Sequence, residues 1–324
     1  MTMKKILVTN NYTGTPREIV FALAPEGFCV ETVSANTREA LMEQVQDADY
    51  ILASGRLKLD GEVLGLAKKL KMIQRTGVGL DSIDLEYLKT SSITLYVNQG
   101  INAQSVAEHT LLLMLACLRK LTVINANTKA GVWKKQEQGV QTYELHGKTV
   151  GIIGMGNIAK RLVALLKPFG VKIKYYNLFR ESEEYERENS MQFGSIEELI
   201  GAADIISINC ALTDETRDLI NAERIAMMKD GAIIVNTARG GIVNAADTAA
   251  ALASGKLAFV GMDVHDSEPI AEDYPLKAMD NAILTPHIAG VTHDAFSAMI
   301  RDAFRNIALF DKGELEAIAG SKYI

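Results

Sequence analysis

Short hydrophobic runs alternate with amphipathic stretches along the first hundred residues. Five of these runs predict strands, at residues 4–10, 28–34, 49–54, 70–76 and 93–98. The stretch at 37–46 separates two runs and places Leu41 and Val45 four positions apart, the spacing of one helix face. Strands that alternate with helices form parallel sheets covered by helices. The first hundred residues therefore predict an α/β unit.

The same alternation resumes near residue 148. Nearly continuous apolar runs there predict a second parallel sheet, with strands at TVGIIG, VKIKYYN, DIISIN, AIIVNT, AFVGMDV and AILTPH. The fold class that follows is α/β, with two doubly wound parallel-sheet domains.

Two longer helices are predicted outside these alternations. The first has Asn102 or Ser105 as its N-cap and carries an apolar run to Leu118. The second spans residues 292–312, ends near Gly313, and has an apolar stripe formed by Phe296, Ile300, Phe304 and Ile307.

Composition narrows the class of protein. With 48% hydrophobic and 23% charged residues, the chain matches ordinary globular proteins and not disordered ones. The formal net charge of −6 disfavours nucleic acids and anionic membranes as partners. The longest apolar stretch, at 111–118, is less than half of the ~20 residues that a membrane-spanning helix needs. We expect no nucleic-acid or membrane partner.

The cysteines indicate a reducing compartment. Cys29, Cys117 and Cys210 are far apart and form no CxxC pair, so neither a disulfide framework nor a metal site is predicted. The N-terminal apolar run from Ile6 to Val8 is too short for a signal peptide. We expect a cytoplasmic protein.

A glycine-rich turn supplies the strongest local pattern. Residues 150–162 pass from a buried strand through Gly154-x-Gly156-x-x-Ala159 into a helix. In dinucleotide-binding folds the first glycine permits the tight turn, the second lets backbone N–H groups approach a pyrophosphate, and the small third residue allows close packing. The turn predicts a dinucleotide site, although the same pattern also occurs in turns that bind nothing.

The choice between NAD and NADP is left open. The next predicted strand ends at Asn177, where an acidic residue normally binds the adenosine ribose and disfavours a 2′-phosphate. Asparagine keeps the hydrogen bond without the repulsion. Arg180 can pair with a 2′-phosphate, or it can pair only with the nearby Glu181, Glu183 and Glu184.

Three side chains near the ends of later strands indicate reaction chemistry. Arg239 follows AIIVNT, Glu268 follows AFVGMDV, and His287 ends AILTPH. A guanidinium binds a carboxylate bidentately, an imidazole exchanges protons near neutral pH, and a carboxylate orients the imidazole. Carbonyl reduction by a hydride donor needs these three groups together. Taken singly, each has a structural alternative: a salt bridge, a turn acid or a packed histidine.

In order and spacing, these segments resemble the D-isomer-specific 2-hydroxyacid dehydrogenase family, which includes phosphoglycerate dehydrogenases, glyoxylate/hydroxypyruvate reductases and D-lactate dehydrogenases. The resemblance covers almost the whole chain, through RTGVGLDSID at 75–84, NAQSVAEH at 102–109, the glycine turn, LTDETRDLIN at 212–221, NTARGG, the D-V-x-x-x-E-P run and TPHIAG. It implies a flavodoxin-like substrate domain formed by residues 1–100 and 291–324, an inserted Rossmann dinucleotide-binding domain at 101–290, and a homodimer.

The resemblance also implies roles for single residues in an NAD(P)-dependent oxidoreductase that interconverts a 2-oxo acid and a D-2-hydroxy acid. Arg239 binds the substrate's carboxylate and carbonyl oxygen, while His287 is the general acid/base and Glu268 orients it. The expected cofactor contacts are Val78, Gly154, Gly156, Asn157, Ile158, Asn177, Arg180, Cys210, Thr237, Ala238, Asp263 and Gly290. The expected substrate contacts are Arg75, Val78, Gly79 and Arg239.

Some features depart from the family pattern. Asn177 replaces the usual Asp, and Ser207-Ile208-Asn209-Cys210-Ala211 replaces the usual S-x-H-x-P, which leaves the shape of the adenosine pocket open. The chain ends at Ile324, so we expect no C-terminal regulatory domain.

The identity of the substrate and a second class of function also stay open. One possibility is that Arg75 and Arg56 bind a phosphate of the substrate. The alternative is that Arg75 anchors its own loop. A non-catalytic, NAD-sensing corepressor is the alternative on the same scaffold. Formate dehydrogenases share the architecture, but formate oxidation needs no general acid/base, so the His–Glu pair favours hydroxy-acid chemistry.

Overall fold

The computed structural model describes residues 3–324. These residues form two compact units, each with its own sheet. One unit extends to Asn102 and resumes at Val291, and the other spans Ala103–Gly290. The chain therefore passes from one unit to the other near Asn102 and returns near Val291.

Within the described residues, the discontinuous unit contains a five-stranded parallel sheet. Its strands are β1 (Lys4–Val8), β2 (Phe28–Thr32), β3 (Tyr50–Ala53), β4 (Met72–Arg75) and β5 (Thr94–Val97). Their order, β2-β1-β3-β4-β5, is that of flavodoxin-like doubly wound sheets. The helices between them are α1 (Gly14–Ala22), α2 (Arg38–Gln44), α3 (Gly61–Leu66) and α4 (Leu85–Lys89).

Alternate side chains of β1 supply two separate cores, one on each face of this sheet. Leu7 packs in a cluster with residues of α2 and α3, whereas Ile6 and Val8 pack with the last helix, His293–Lys312. That helix starts where the Thr292 hydroxyl accepts a hydrogen bond from Ala295 N–H, and it stops at Gly313, which has a φ of +79°. The predicted helix and its buried stripe are confirmed.

The second unit is built on a seven-stranded parallel sheet within the described residues. Its strands are β6 (Thr149–Ile153), β7 (Lys172–Tyr176), β8 (Met191–Phe193), β9 (Ile205–Ile208), β10 (Ala232–Asn236), β11 (Leu257–Met262) and β12 (Ala282–Leu284). Counted from β6, the strand order is 3-2-1-4-5-6 with a seventh strand at the edge, the order of dinucleotide-binding folds. The predicted fold class is confirmed, and β8 is the strand that the hydrophobic pattern does not reveal.

The second unit also contains α-helices. They are α5 (Ala103–Leu118), α6 (Leu121–Lys129), α7 (Lys135–Gly139), α8 (Asn157–Leu166), α9 (Glu183–Glu188), α10 (Ile196–Ala202), α11 (Ala222–Met227) and α12 (Ala245–Ser254). None of the helices within residues 3–324 combines the length and the apolar character needed to cross a membrane.

Candidate active site

Gly154 follows β6 in a conformation that glycine adopts at low cost. Its φ is +94°, and a Cβ there would lie 2.7 Å from the carbonyl carbon of Asn209 and from the amide nitrogen of Cys210. The turn is therefore in close contact with the end of β9, the neighbouring strand. The protein's own packing requires a glycine at this position.

Gly156 is different, because the described residues leave open space beside it. Its φ is −82°, and, apart from its neighbours along the chain, none of their heavy atoms lies within 4 Å of the position that a Cβ would take. Asn157 and Ile158 follow as the first residues of α8, whose N-terminal N–H groups lack partners within the helix. Open space at a helix N-terminus fits an approaching pyrophosphate. The residues present thus fit a dinucleotide.

Polar side chains organise the segment after β7. Asn177 accepts a hydrogen bond from Met155 N–H at 3.3 Å and donates one to the Phe179 carbonyl at 2.9 Å, so its amide joins this strand end to the glycine turn. Arg180 donates from Nε and Nη2 to the two carboxylate oxygens of Glu186 on α9, at 2.9 and 2.8 Å. Arg180 therefore has a carboxylate partner, but this partner is none of the three glutamates considered from the sequence.

Cys210, Thr237 and Ala238 follow β9 and β10 at the same edge of the sheet. The Cys210 thiol is half-buried, and burial raises its pKa. The Thr237 hydroxyl lies 2.8 Å from the Thr110 hydroxyl of α5, and Ala238 N–H donates to the side-chain oxygen of Asn236 at 3.0 Å. These last two contacts order the end of β10.

Arg239 lies in a turn that is held from both sides. The Asn236 side chain donates to the Arg239 carbonyl at 2.8 Å, and Gly241 N–H donates to the Asp266 carboxylate at 2.7 Å. A Cβ on Gly240 would lie 2.0 Å from the carbonyl oxygen of His265. The turn of Arg239 thus packs against the segment that leads to Glu268.

His287 and Glu268 are in direct contact. His287 Nδ1 lies 2.7 Å from Glu268 Oε2, and the other carboxylate oxygen accepts from His265 N–H at 3.2 Å. Partial burial acts to raise the pKa of Glu268, but the hydrogen bond and charge of His287 outweigh it and hold that pKa below its usual value. Because Nδ1 faces the carboxylate, Nε2 is the ring nitrogen left to exchange a proton with a substrate.

Asp263 fixes the turn that presents His287. Its carboxylate is fully buried and accepts hydrogen bonds from Thr285 Oγ1 at 2.5 Å, from Ile288 N–H at 3.0 Å and from Ala289 N–H at 2.9 Å. His287 itself has a φ of +55°, a left-handed conformation that is uncommon outside glycine. Asp263, predicted as a cofactor contact, here holds that conformation in place. Gly290, another predicted cofactor contact, directly follows the anchored Ala289.

Several polar side chains on α5 contact the active-site turns, although the sequence predicted no functional role for them and only an N-cap role for Ser105. Ser105 donates to the Ala289 carbonyl at 2.6 Å, and His109 Nε2 lies 3.1 Å from Thr285 Oγ1. Together with Thr110 they contact the ends of β10 and β12. Ser105 is therefore inside the helix and does not cap it. Polar residues at positions i and i+4 of an otherwise apolar helix were the available signal.

The predicted substrate residues of the other unit lie at and after the end of β4, with Arg75 as its last residue. Arg75 donates from Nε to the Gly79 carbonyl at 2.8 Å and from Nη1 to the Ala53 carbonyl at 2.9 Å. Val78, in the loop between Arg75 and Gly79, is 53% exposed. Arg75 thus makes backbone contacts that order its own loop. Among residues 3–324, no group of three or more His, Cys, Asp and Glu side chains is arranged to hold a metal ion.

Comparison with known protein families shows to which family the chain belongs. The family model described as "D-isomer specific 2-hydroxyacid dehydrogenase, NAD binding domain" matches residues 111–289, more than half of the chain. The chain belongs to the D-isomer specific 2-hydroxyacid dehydrogenase family. The predicted family resemblance is confirmed.

Members of this family with different activities are similar to the chain. A D-3-phosphoglycerate dehydrogenase of Methanocaldococcus jannaschii is 37% identical over 97% of this chain, which spans 58% of that protein's length. A glyoxylate reductase of Thermofilum pendens is 36% identical over a region that covers 86% of this chain and 83% of the reductase. The crystal structure of an Aquifex aeolicus D-lactate dehydrogenase complexed with NAD and lactic acid superposes with a TM-score of 0.87 at 28% identity, covering 98% of both chains.

Proposed function

We propose that this dehydrogenase-family protein is an NAD-dependent oxidoreductase that interconverts a 2-oxo acid and a D-2-hydroxy acid. The observation that carries the proposal is the 2.7 Å contact between His287 and Glu268, in the unit that also holds the glycine turn. A proton donor and a dinucleotide turn in one unit are what carbonyl reduction requires. The similarity to D-lactate dehydrogenase and glyoxylate reductase supports it.

Bound NADH supplies the hydride that the carbonyl carbon accepts. In our proposal Gly154, Gly156, Asn157 and Ile158 hold the pyrophosphate, and Asn177 holds the adenosine ribose beside Cys210. Thr237, Ala238, Asp263 and Gly290 surround the nicotinamide end. The N–H groups that open α8 favour the negative charge of the pyrophosphate. The anchored turn after β10 keeps Thr237 and Ala238 in place.

His287 is the proposed general acid. As the carbonyl oxygen becomes an alkoxide, Nε2 transfers its proton to that oxygen, and the resulting neutral imidazole keeps its Nδ1–H bond to Glu268. Glu268 stabilises the imidazolium before this transfer and keeps the ring in one orientation. In the oxidative direction the neutral ring takes the proton from the hydroxyl. A positioned acid/base contributes about 10²–10⁴ in rate.

Arg239 is the proposed substrate anchor. Its guanidinium binds the carboxylate and the carbonyl oxygen of the 2-oxo acid, which places the carbonyl for proton transfer. The rigid turn around it, packed against His265, keeps the anchor in a constant position relative to the segment that carries Glu268.

The substrate is proposed to be a small, unphosphorylated 2-oxo acid. Arg75 is engaged by the Gly79 and Ala53 carbonyls, which supports a role in ordering the Val78–Gly79 loop and not in binding a phosphate. Comparing hydroxypyruvate with 3-phosphohydroxypyruvate tests this point. A phosphorylated substrate with the higher kcat/KM would reverse it.

The test of the function is a spectrophotometric panel with NADH and NADPH against glyoxylate, hydroxypyruvate, pyruvate, branched 2-oxo acids and 3-phosphohydroxypyruvate. We expect reduction of at least one acid, and we expect His287→Asn to lower kcat by about 10²–10⁴ while NADH binding persists. The matched control is His293→Asn, since His293 is exposed and has no role in the proposal. Full activity of the His287 variant would overturn the assignment. Binding of NADH without any reduction would favour a sensor.

We also propose that the protein is a cytoplasmic homodimer. Cys29, Cys117 and Cys210 are free thiols, as a reducing compartment allows. The second unit exposes large apolar side chains on and after α5, which fits a surface that a second copy covers.

A further inference from the structure

Arg180 is held on two sides by its own unit. Its Nε and Nη2 edge donates to both oxygens of the Glu186 carboxylate, and its guanidinium carbon lies 5.6 Å from the ring centre of Phe193. Glu186 is buried, with 8% of its surface exposed, and it also accepts from the Tyr175 hydroxyl at 2.7 Å. Both members of the ion pair are therefore fixed in place.

The charges of this network reinforce the pairing. The hydrogen bond from Arg180, followed by that from Tyr175, lowers the pKa of Glu186 to about 2. Glu186 is thus ionised at any pH at which the protein works. A second nearby cation, Lys160 of α8, is paired with Glu181 at 2.9 Å. Each of these two cations is thus paired with a carboxylate.

A 2′-phosphate would compete with Glu186 for the guanidinium of Arg180. Recognition of NADP at this point of a dinucleotide fold uses an arginine near the end of the second strand, here the segment after Asn177. A phosphate binds a guanidinium through two parallel N–H···O bonds. Glu186 occupies the Nε/Nη2 edge of Arg180 and neutralises its charge, which leaves only the Nη1 side of the guanidinium outside the pair. Asn177 brings no charge of its own to repel the phosphate.

We infer that Glu186 is a specificity-determining residue that makes the protein prefer NADH to NADPH by holding Arg180 away from a 2′-phosphate. This inference rests on the proposed function, because it presupposes that a dinucleotide binds at the glycine turn. The discrimination between NADH and NADPH is thus assigned to the buried carboxylate of Glu186 on α9 and not to Asn177.

The experiment is a binding titration, followed by quenching of protein fluorescence, so that it needs no turnover. NADH, NADPH and adenosine 2′,5′-bisphosphate are titrated into wild type, Glu186→Gln and Glu184→Gln. Glu184→Gln is the matched control, because it removes the same charge from an exposed position of the same helix. The double variant Arg180→Ala/Glu186→Gln removes the arginine that the single variant releases.

We expect wild type to bind NADH at least about tenfold more tightly than NADPH, the scale of one charge-assisted hydrogen bond. Glu186→Gln should tighten NADPH and the bisphosphate about tenfold and change NADH by less than about threefold. The double variant should lose this gain, and the exposed-site control should change all three constants by less than about threefold.

Failures of the two proposals are distinguishable. If wild type binds neither dinucleotide, the proposed function fails. If wild type binds NADH, but NADPH equally well, or if Glu186→Gln leaves the ratio unchanged, the inference about Glu186 is overturned while the function stands. Should Glu186→Gln not fold, Glu186→Asp keeps the charge but withdraws the carboxylate by one methylene. A smaller gain in NADPH affinity then supports the inference, and no gain overturns it.

Discussion

The contact between His287 and Glu268 predicts a definite pH behaviour for Glu268→Gln. Because the pKa of Glu268 lies below its usual 4.5, the carboxylate persists through neutral pH and is lost only in acid. It therefore keeps its hydrogen bond to His287 and holds the ring in one orientation wherever the enzyme works. Without it the ring loses its fixed orientation, so kcat for reduction should be about tenfold or more lower in Glu268→Gln across neutral pH. The difference from wild type should shrink only in acid, where the carboxylate of Glu268 is itself protonated.

The measurement for this prediction is kcat for 2-oxo acid reduction across neutral pH, with Glu272→Gln as control. Glu272 is an exposed carboxylate near the same segment, paired only with Lys277 among the contacts described. Identical pH profiles for wild type and Glu268→Gln would show that the carboxylate does not act through His287.

Asp263→Asn should damage both stability and catalysis. The buried carboxylate accepts three hydrogen bonds from the turn of His287, and an amide nitrogen in place of one oxygen would face a backbone donor. One unsatisfied buried donor costs about 1–3 kcal/mol, so the free energy of unfolding should fall by about that amount. Denaturant unfolding measures it. Loss of kcat without loss of stability would assign Asp263 to the cofactor alone.

At the scale of single residues, the side chains that carry the reaction were easier to predict from the sequence than the ion-pair partner of a given side chain. Arg239, Glu268 and His287 could be proposed because an arginine, a carboxylate and a histidine near strand ends fit one reaction. The pairing of Arg180 with Glu186 could not be predicted, because three other glutamates lie at similar distances along the sequence. The choice depends on burial of Glu186 beside Tyr175, which only the packed structure defines.

The turn between β6 and α8 contains two glycines for which we predict opposite results. Gly154→Ala should lower stability strongly, because its φ is positive and a Cβ would lie 2.7 Å from Asn209. Gly156→Ala should change the free energy of unfolding by less than about 1 kcal/mol, since the space beside it is open. It should nevertheless weaken NADH binding about tenfold or more, because that space is where the pyrophosphate approaches.

Thermal unfolding and an NADH titration of both variants check this pair. Gly147→Ala separates the two causes of instability, because Gly147 has a positive φ but no neighbour within 4 Å of the Cβ position. Unchanged NADH affinity in Gly156→Ala would mean that the turn does not receive the pyrophosphate.

At the scale of elements, the hydrophobic period predicted the last helix and the strands of both sheets except β8. Strand β8 was not predicted because it is short and has one buried, one exposed and one half-buried residue, which form no distinct hydrophobic pattern. The start of α5 was ambiguous for another reason. Ser105 has the side chain of an N-cap, yet it lies inside the helix and donates to the Ala289 carbonyl, a contact that is distant in sequence.

At the scale of the whole molecule, exposed apolar side chains test the proposed dimer. Leu112, Leu121, Trp133, Val140 and Tyr143 are each more than half exposed, and Trp133 reaches 82%. Trp133 also lines a groove with Ile124 and Val132. Monomers rarely expose so many large apolar side chains along one short stretch of chain, because each costs about 1.5–3 kcal/mol relative to burial. A second copy of this chain that covers them would remove that cost.

We therefore expect Trp133→Glu and Val140→Glu to convert a dimer into monomers, since each places a charge where an apolar contact is proposed. Sedimentation velocity over a range of protein concentrations measures the change. Phe179→Glu is the matched control: Phe179 is 81% exposed but follows β7, away in sequence from this stretch, so its substitution should leave the dimer intact. A wild-type monomer at every concentration would show that these side chains face solvent. Dissociation caused equally by Phe179→Glu would place the interface elsewhere, because the effect would then follow added charge and not the apolar stretch after α5.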